Sequence, residues 1–270
     1  MKYFLIRLAV GLMFILVSSH GYAQFTEKLR STRPGEAVSP FITGRNVFQL
    51  ESGFTYGRAS GNDRTDVATL KNSTLLRWGL RRNFELDAAF DLQRDQFMLQ
   101  DTLEYVTSGF RDVRVGLKYQ MKQGSQYSPT IAFQVSALLH FLEGQDYPRD
   151  FSPSFLLVLS QPLSPRVSMV GNVGFDWSNL EGNLTGKYAI QLQASLTNRL
   201  NFVAENHGRL SADALRSYFI SGISYNLKDD FEVDIGLGYE YYERTHDVFL
   251  GLGFSWRFMK EYYYYQEYEQ

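Results

Sequence analysis

The stretch DVFLGLGFSWRF, residues 247–258, carries the pattern that decides the fold. Its odd positions, apart from Phe249, are small or polar. Its even positions are all apolar: Val248, Leu250, Leu252, Phe254, Trp256 and Phe258. Because successive side chains of a β-strand point to opposite faces, this alternation gives one apolar and one polar face. The stretch is long enough to cross a bilayer as a tilted strand that presents its apolar face to lipid.

The same alternation recurs along the chain from residue 44 onward. It is clearest in residues 84–93, where large apolar residues interleave with Glu85, Asp87, Ala89 and Asp91. A sheet edge cannot stay unpaired in hydrocarbon, so strands that span a membrane must close into a barrel. We therefore predict an all-β fold, an antiparallel transmembrane β-barrel of about twelve strands over residues 44–258. The registers near 154–160 and 215–227 stay open, because each stretch accepts two alternatives.

Turn lengths and tryptophan positions support a membrane barrel over a soluble β-sandwich, which would show similar alternation. Tight turns near residues 81–83, 162–165, 197–199 and 228–230 alternate with longer polar connections such as 94–108, as in outer-membrane barrels. The turn at 122–128 is long for its side. The three tryptophans, Trp78, Trp177 and Trp256, fall at strand ends on the apolar face, as in an interfacial aromatic girdle.

The N-terminal residues 1–23 have the pattern of a secretory signal peptide. Lys2 and Arg7 precede an apolar run at 8–17, and Gly21-Tyr22-Ala23 forms a small-x-small cleavage site. The apolar run is too short to span a membrane as a helix. We therefore predict cleavage near Ala23 and location in the outer membrane of a Gram-negative envelope.

Two further segments flank the predicted barrel. Residues 24–43 contain Pro34-Gly35 and Pro40, which disfavour a strand. This segment is either a mobile periplasmic arm or a segment that plugs the lumen, and both interpretations stay open. Residues 259–270 form a tyrosine-rich tail whose role the sequence does not indicate.

Charged residues on the polar faces are the candidate lumen residues. Arg77 and Glu85 are equidistant from the centre of the turn at 80–82, which predicts a cross-strand pair beside an outward Trp78–Phe84 pair. That pair is either a constriction of the lumen or a structural ion pair. The wider predicted inward set is Glu51, Lys71, Asp87, Asp91, Arg114, Lys118, Arg166, Asp176, Lys187, Glu205, Glu232, Asp234 and Arg257. Both signs occur, which suits a narrow or plugged lumen better than an ion-selective pore. Twelve strands give a backbone diameter of ~24 Å, which leaves a channel of at most ~10 Å between side chains.

Four glycines on adjacent strands form a predicted smooth patch inside the lumen. They are Gly236, Gly238, Gly251 and Gly253. Glycine in a strand often marks the close approach of another backbone or of a ligand. The patch therefore predicts contact with residues 24–43 or with a bound solute, unless these glycines only ease the curvature of the barrel.

The sequence contains no motif that indicates catalysis, cofactor binding or nucleic-acid binding. The formal net charge of −2 gives no basic surface for nucleic acid. His140, His207 and His246 lie on separate strands or loops, and none is part of a local His-x-Ser pair. A P-loop, a GxSxG motif and a metal-spaced cluster are also missing from the sequence. We predict no catalytic, cofactor-binding or metal-binding residues.

Several phrases of the chain, in order, resemble one family. They are TRPGEAVSPF and GRNVFQLESGFTY within 32–56, LLRWGLRRNFEL at 75–86, FRDVRVGLKYQM at 110–121, SPTIAF at 128–133 and GISYNLKDDFEVDIGLGY with FLGLGFSWRF within 222–258. They are similar to bacterial outer-membrane barrels described as transporters or as meta-pathway phenol-degradation proteins. The resemblance implies a passive, porin-like channel or transporter for small solutes, aromatic or hydrophobic ones among them. The alternatives are a structural or surface-interaction barrel with a sealed lumen and a membrane enzyme.

The end of the last strand resembles a second known signal. Gly253, Trp256 and Phe258 are similar to the C-terminal signal that the barrel-assembly machinery recognises in its clients, with Gly251 where a polar residue is usual. This resemblance implies the assembly machinery as a partner, besides the lipid bilayer and a small-molecule solute. Twelve residues follow a signal that normally stands at the very end of the chain.

Overall fold

The structure is a computed structural model that describes residues 29–60, 65–99, 102–140, 151–177, 184–211, 214–242 and 245–258. These residues form twelve antiparallel strands that close into a barrel. The strands are β1 (Phe48–Ser60), β2 (Thr65–Arg81), β3 (Phe84–Leu99), β4 (Thr102–Lys122), β5 (Thr130–His140), β6 (Phe151–Ser164), β7 (Val167–Trp177), β8 (Leu184–Ser195), β9 (Leu200–Leu210), β10 (Leu215–Lys228), β11 (Phe231–Tyr242) and β12 (Thr245–Phe258). Each strand pairs with its neighbour in sequence, and β12 pairs with β1 from Phe48↔Phe258 to Ser60↔His246. The predicted fold class is confirmed.

The barrel wall is apolar outside and polar inside. Leu250 and Trp256 expose 42% and 40% of their surface outward, whereas Glu85 and Ser255 are fully buried on the inner face. Trp78 and Trp177 also face outward, at opposite rims, and the Phe48 ring stacks on Trp78 at a centroid distance of 5.4 Å. This distribution is that of a barrel with lipid around it.

The predicted loop at 94–108 is wrong, because β3 and β4 continue through it as a two-stranded ribbon up to Leu99 and Thr102. Asp95 is buried on its inner face and accepts a hydrogen bond from Thr69 Oγ1 at 2.7 Å. The Phe97 and Tyr105 rings stack with centroids 4.3 Å apart. Residues 102–106 are exposed on both faces of β4, so the alternation that identifies a strand is missing there.

Two details of the predicted registers are also wrong, both beside turns. Trp78 pairs with Leu86 and not with Phe84, because a β-bulge between Gly79 and Arg81 shifts the register. Arg166 is not an inward strand residue. It lies exposed in the turn between β6 and β7, where a second bulge precedes the turn. Extra residues of this kind cannot be read from alternation alone.

The two ambiguous stretches become clear because apolar side chains point into the lumen. In β6 the even residues face inward, so Leu156 and Val158 are buried there together with Ala132 of β5. In β10 the inward Ile220 is buried in the same way. Val38, which precedes the first strand, packs on the Ala132 cluster. The apolar inner face therefore indicates a segment inside the barrel.

Some predictions lie outside the described residues. These are the signal peptide 1–23 with its cleavage near Ala23, the first residues of the segment 24–43, and the tail 259–270. Within the described ranges, no helix is long and apolar enough to cross a membrane.

Candidate functional site: the barrel lumen

Residues 29–47, which we call the belt, lie inside the barrel. The belt begins at the turn between β10 and β11, where the Leu29 amide donates a hydrogen bond to the Asp229 carbonyl at 3.0 Å. It ends where Val47 meets Gly79 beside the start of β1. Ala37 and Thr43 each expose only 2% of their surface. The structure thus places the described part of segment 24–43 within the lumen.

The belt makes one circuit of the inner wall. Its contacts begin with Ser31 at β12 and end with Thr43 at β3, and they meet the strands in descending order. The wall residues it touches, in belt order, are Ser255 on β12, Asp234 on β11, Gly222 on β10, Glu205 on β9, Asn172 on β7, Lys118 on β4 and Glu85 on β3. The belt therefore runs along the wall as an inner ring.

Arg77 holds the two ends of the belt. Its guanidinium donates to the carbonyls of Arg30 at 3.1 Å and Phe41 at 2.9 Å. It also forms a two-pronged salt bridge with Glu85, at 2.9 and 3.1 Å, and contacts Glu51 at 3.2 Å. The Arg30 guanidinium lies over the Phe41 ring, 3.6 Å from its centroid, so the belt ends also touch each other.

The Arg77–Glu85 contact was predicted, although the bulge makes the two residues diagonal and not directly opposite. Glu85 also accepts a hydrogen bond from the Thr43 amide at 2.8 Å and contacts Lys118 Nζ at 2.7 Å. Arg77 and Glu85 are 3% and 0% exposed. The pair is a buried anchor for the belt, which neither predicted role included.

Glu205 is a second anchor, on the opposite side of the lumen. Its carboxylate accepts hydrogen bonds from the backbone amides of Glu36 at 2.9 Å and Ala37 at 3.1 Å. Gln191 Nε2 donates to it at 2.9 Å, and His207 Nδ1 lies 2.9 Å away. The sequence alternation predicted that Glu205 faces inward, but nothing in the sequence predicted its hydrogen bonds to the belt amides.

The four predicted patch glycines have different neighbours. A Cβ on Gly253 would lie 2.3 Å from Arg33 Nε, and one on Gly236 would lie 3.0 Å from Pro34 Cβ. Gly238 is covered instead by the ring of Phe249 from the wall itself. A Cβ on Gly251 would make only ordinary contacts, the nearest with Thr55 Oγ1 at 3.6 Å. The belt thus lies on two of the four glycines.

A cavity of about 250 Å³ remains in the lumen between the belt and the wall. Of the predicted lumen residues, Asp87, Asp91, Arg114 and Lys118 line it together with the Arg77–Glu85 pair. Seven acidic and seven basic side chains contribute to its lining: Glu36, Glu51, Glu85, Asp87, Asp91, Asp112 and Asp176 against Arg33, Lys71, Arg77, Arg114, Lys118, Lys187 and Arg209. The lining is therefore highly charged but neutral as a whole.

Glu36 contributes a charge to the cavity from the belt side. Enclosure inside the barrel on its own would raise the pKa of the Glu36 carboxyl, but the positive charges of Lys71 and Arg114 outweigh that effect and lower the pKa. The carboxylate therefore stays ionised at neutral pH. Among the described residues, no group of three His, Cys, Asp or Glu could hold a metal ion.

A closed twelve-stranded barrel with an apolar outer face and a polar lumen is a transmembrane barrel of the bacterial outer-membrane class. Within that class, the chain belongs to the family described as "Putative MetA-pathway of phenol degradation", which matches residues 31–258. The match therefore includes the belt from Ser31 and ends at Phe258.

Solved structures share the fold at low sequence identity. The COG4313 outer membrane channel from Pseudomonas putida F1 is 11% identical with a TM-score of 0.61, covering 84% of this chain and 100% of that chain. The translocator domain of the autotransporter NalP from Neisseria meningitidis is 10% identical with a TM-score of 0.51, covering 80% and 89%. The NanC porin is 12% identical with a TM-score of 0.52, covering 76% and 98%. No curated protein sequence matches the chain.

Proposed function

We propose that the protein is an outer-membrane channel through which small solutes pass without catalysis. The observation that carries this proposal is the polar cavity that remains beside the belt, because a barrel with a purely structural role needs no such space. The structural neighbour from Pseudomonas putida is described as a channel, and the family description names phenol degradation. Both support a small solute.

The belt sets the width of this channel. A barrel of twelve strands leaves at most ~10 Å between inward side chains, and the belt occupies part of that width along a full circuit. Because buried groups hold it at both ends and at Glu205, we propose that the belt is a fixed lining and not a gate. Solutes would then pass through the cavity beside it.

Single-channel recording in planar bilayers tests the proposal. The purified full-length protein should give small, discrete conductance steps, because the belt narrows the lumen but leaves the cavity. A barrel with a sealed lumen and a structural role would give none. A lipid-hydrolysis assay on the same preparation should show no activity, and sustained hydrolysis would favour the membrane enzyme.

The end of β12 is proposed to recruit the barrel-assembly machinery. Phe258 faces outward at the rim, 3.8 Å in centroid distance from the Trp256 ring, and pairs with Phe48 of β1. Phe258→Ala should lower the fraction of heat-modifiable, folded barrel in the membrane, whereas Phe254→Ala is the matched control on the same face. Normal assembly of the Phe258 variant would show that the signal lies elsewhere. Cleavage near Ala23 is proposed as well, and N-terminal sequencing should then begin at Gln24.

A further inference from the structure

Two ion pairs along the cavity wall are too long for direct hydrogen bonds. The distances are 3.7 Å for Arg114 Nε to Asp87 Oδ1 and 3.8 Å for Lys71 Nζ to Asp91 Oδ2. Hydrogen bonds between nitrogen and oxygen close at ~2.7–3.2 Å. We call these two the open pairs, and all four residues line the cavity.

The first open pair leaves two buried polar atoms unsatisfied. Asp87 exposes only 3% of its surface, and neither its Oδ1 nor Arg114 Nε has a hydrogen-bond partner among the residues that the structure describes. Leaving a buried polar group without a partner costs ~1–3 kcal/mol, and more for a charged group. The two atoms therefore favour a ligand that bonds to both at once.

A hydroxyl group meets this requirement. One oxygen can accept a hydrogen bond from the cation and donate its own hydrogen to the carboxylate. An isolated anion would pair with Arg114 but repel Asp87, and a cation would do the reverse. Since the lining carries seven groups of each sign, the same holds for the cavity as a whole. An apolar solute would leave every open pair unbridged.

The size of the cavity sets the size of the ligand. At about 250 Å³ it is larger than the ~150 Å³ cavity that takes one benzene and smaller than the ~300 Å³ at which pockets for drug-sized ligands begin. We propose that the cavity binds a small neutral solute with several hydroxyl groups, of about the size of a monosaccharide, which bridges the open pairs. The inference that this solute is the one transported rests on the proposed channel function.

Titration calorimetry of the full-length protein in detergent tests the proposal without requiring conductance. The probes are D-glucose, its uronic acid glucuronate and its amine glucosamine, which share the pyranose ring and differ in charge. Glucose should bind most tightly of the three. If glucuronate or glucosamine binds as tightly as glucose, or if none binds, the open pairs hold water only and the proposal fails.

Two variants shift the charge balance of the lining in opposite directions. Asp91→Asn removes one acid and should weaken glucose binding about tenfold, because one hydrogen bond to a charged group is lost, while glucuronate binding gains relative to glucose binding. Lys71→Gln removes one base and should favour glucosamine instead. Both side chains are partly exposed, so folding is expected to persist and is checked by heat modifiability.

The control is Asp66→Asn, which breaks the 2.6 Å pair between Arg58 and Asp66 away from the cavity and should leave all three affinities unchanged. Unaltered probe preference in both cavity variants would overturn the assignment. Glucose binding without conductance would instead refute the channel and keep the binding site, whereas conductance without glucose binding would do the opposite.

Discussion

Two groups of inward carboxylates in the lumen differ in a way that alternation along the strands cannot reveal. The belt anchors are Glu51, Glu85, Glu205 and Asp234, which bond to belt atoms at 2.6–3.1 Å. The open pairs contain Asp87 and Asp91, whose cations lie 3.7 and 3.8 Å away. The difference comes from the belt, whose amides and side chains bond to the carboxylates of the first group. Anchors are thus structural, and open pairs are left for solutes.

Deleting the belt is the strongest test of the distinction between belt anchors and open pairs. Deleting residues 24–43 should raise single-channel conductance several-fold and lower the unfolding temperature, because the anchors lose their partners and the lumen widens. Deleting residues 259–270 serves as the control and should leave the conductance unchanged. A belt-free barrel that conducts like the full-length protein would show that the belt does not narrow the channel.

Weakening one anchor should have a smaller effect. Glu205→Gln replaces a carboxylate that accepts two belt amides, and losing these charge-assisted hydrogen bonds should lower the free energy of unfolding in urea by ~2 kcal/mol. Glu240→Gln is the matched control. Glu240 is an inward carboxylate of β11 that pairs with the half-exposed Arg216 at 3.0 Å, away from the belt. Equal losses in the two variants would contradict a special role of the anchors.

The smallest effect is expected where the belt lies on glycine. Gly253→Ala would place a Cβ 2.3 Å from Arg33 Nε, so Arg33 must shift and loosen its pair with Asp234, at a cost of ~1 kcal/mol in the free energy of unfolding. Gly251→Ala, two residues away on the same face, has space for the methyl group and should be neutral. If the two variants are equally stable, the belt does not press on this wall.

The barrel could be predicted because alternation is a local property of each strand. In β12, the residue type at each position indicates which face of the strand the side chain occupies. Closure of the barrel is the only long-range information that the twelve strands need. The ribbon at the top of β3 and β4 could not be predicted in this way, since residues 102–106 of β4 are exposed on both faces. The bulges beside Gly79 and Pro162 could not be predicted because one extra residue does not change the composition of a strand noticeably.

The belt could not be predicted because its contacts are distant in sequence and lack periodicity. Ser31 bonds to Ser255, which is 224 residues away. The available signal was indirect: Leu156, Val158 and Ile220 are apolar on a face that should be polar. The ambiguous registers of β6 and β10 therefore indicated that an apolar segment packs inside the barrel. Similarly, the positions of Arg77 and Glu85 relative to a turn predicted that the two residues pair, but nothing in the sequence indicated their belt partners.

A disulfide between belt and wall tests the central claim, that the belt is a fixed lining with a solute path beside it. The sequence contains no cysteine, and Ala37 of the belt packs with Ala189 of β8, so Ala37→Cys with Ala189→Cys introduces a single lock. Single-channel conductance is recorded from the oxidised protein and again after dithiothreitol is added, with each single-cysteine variant as control. A fixed belt predicts the same conductance steps before and after reduction. A silent channel that opens on reduction would show that the belt must leave the wall for solutes to pass.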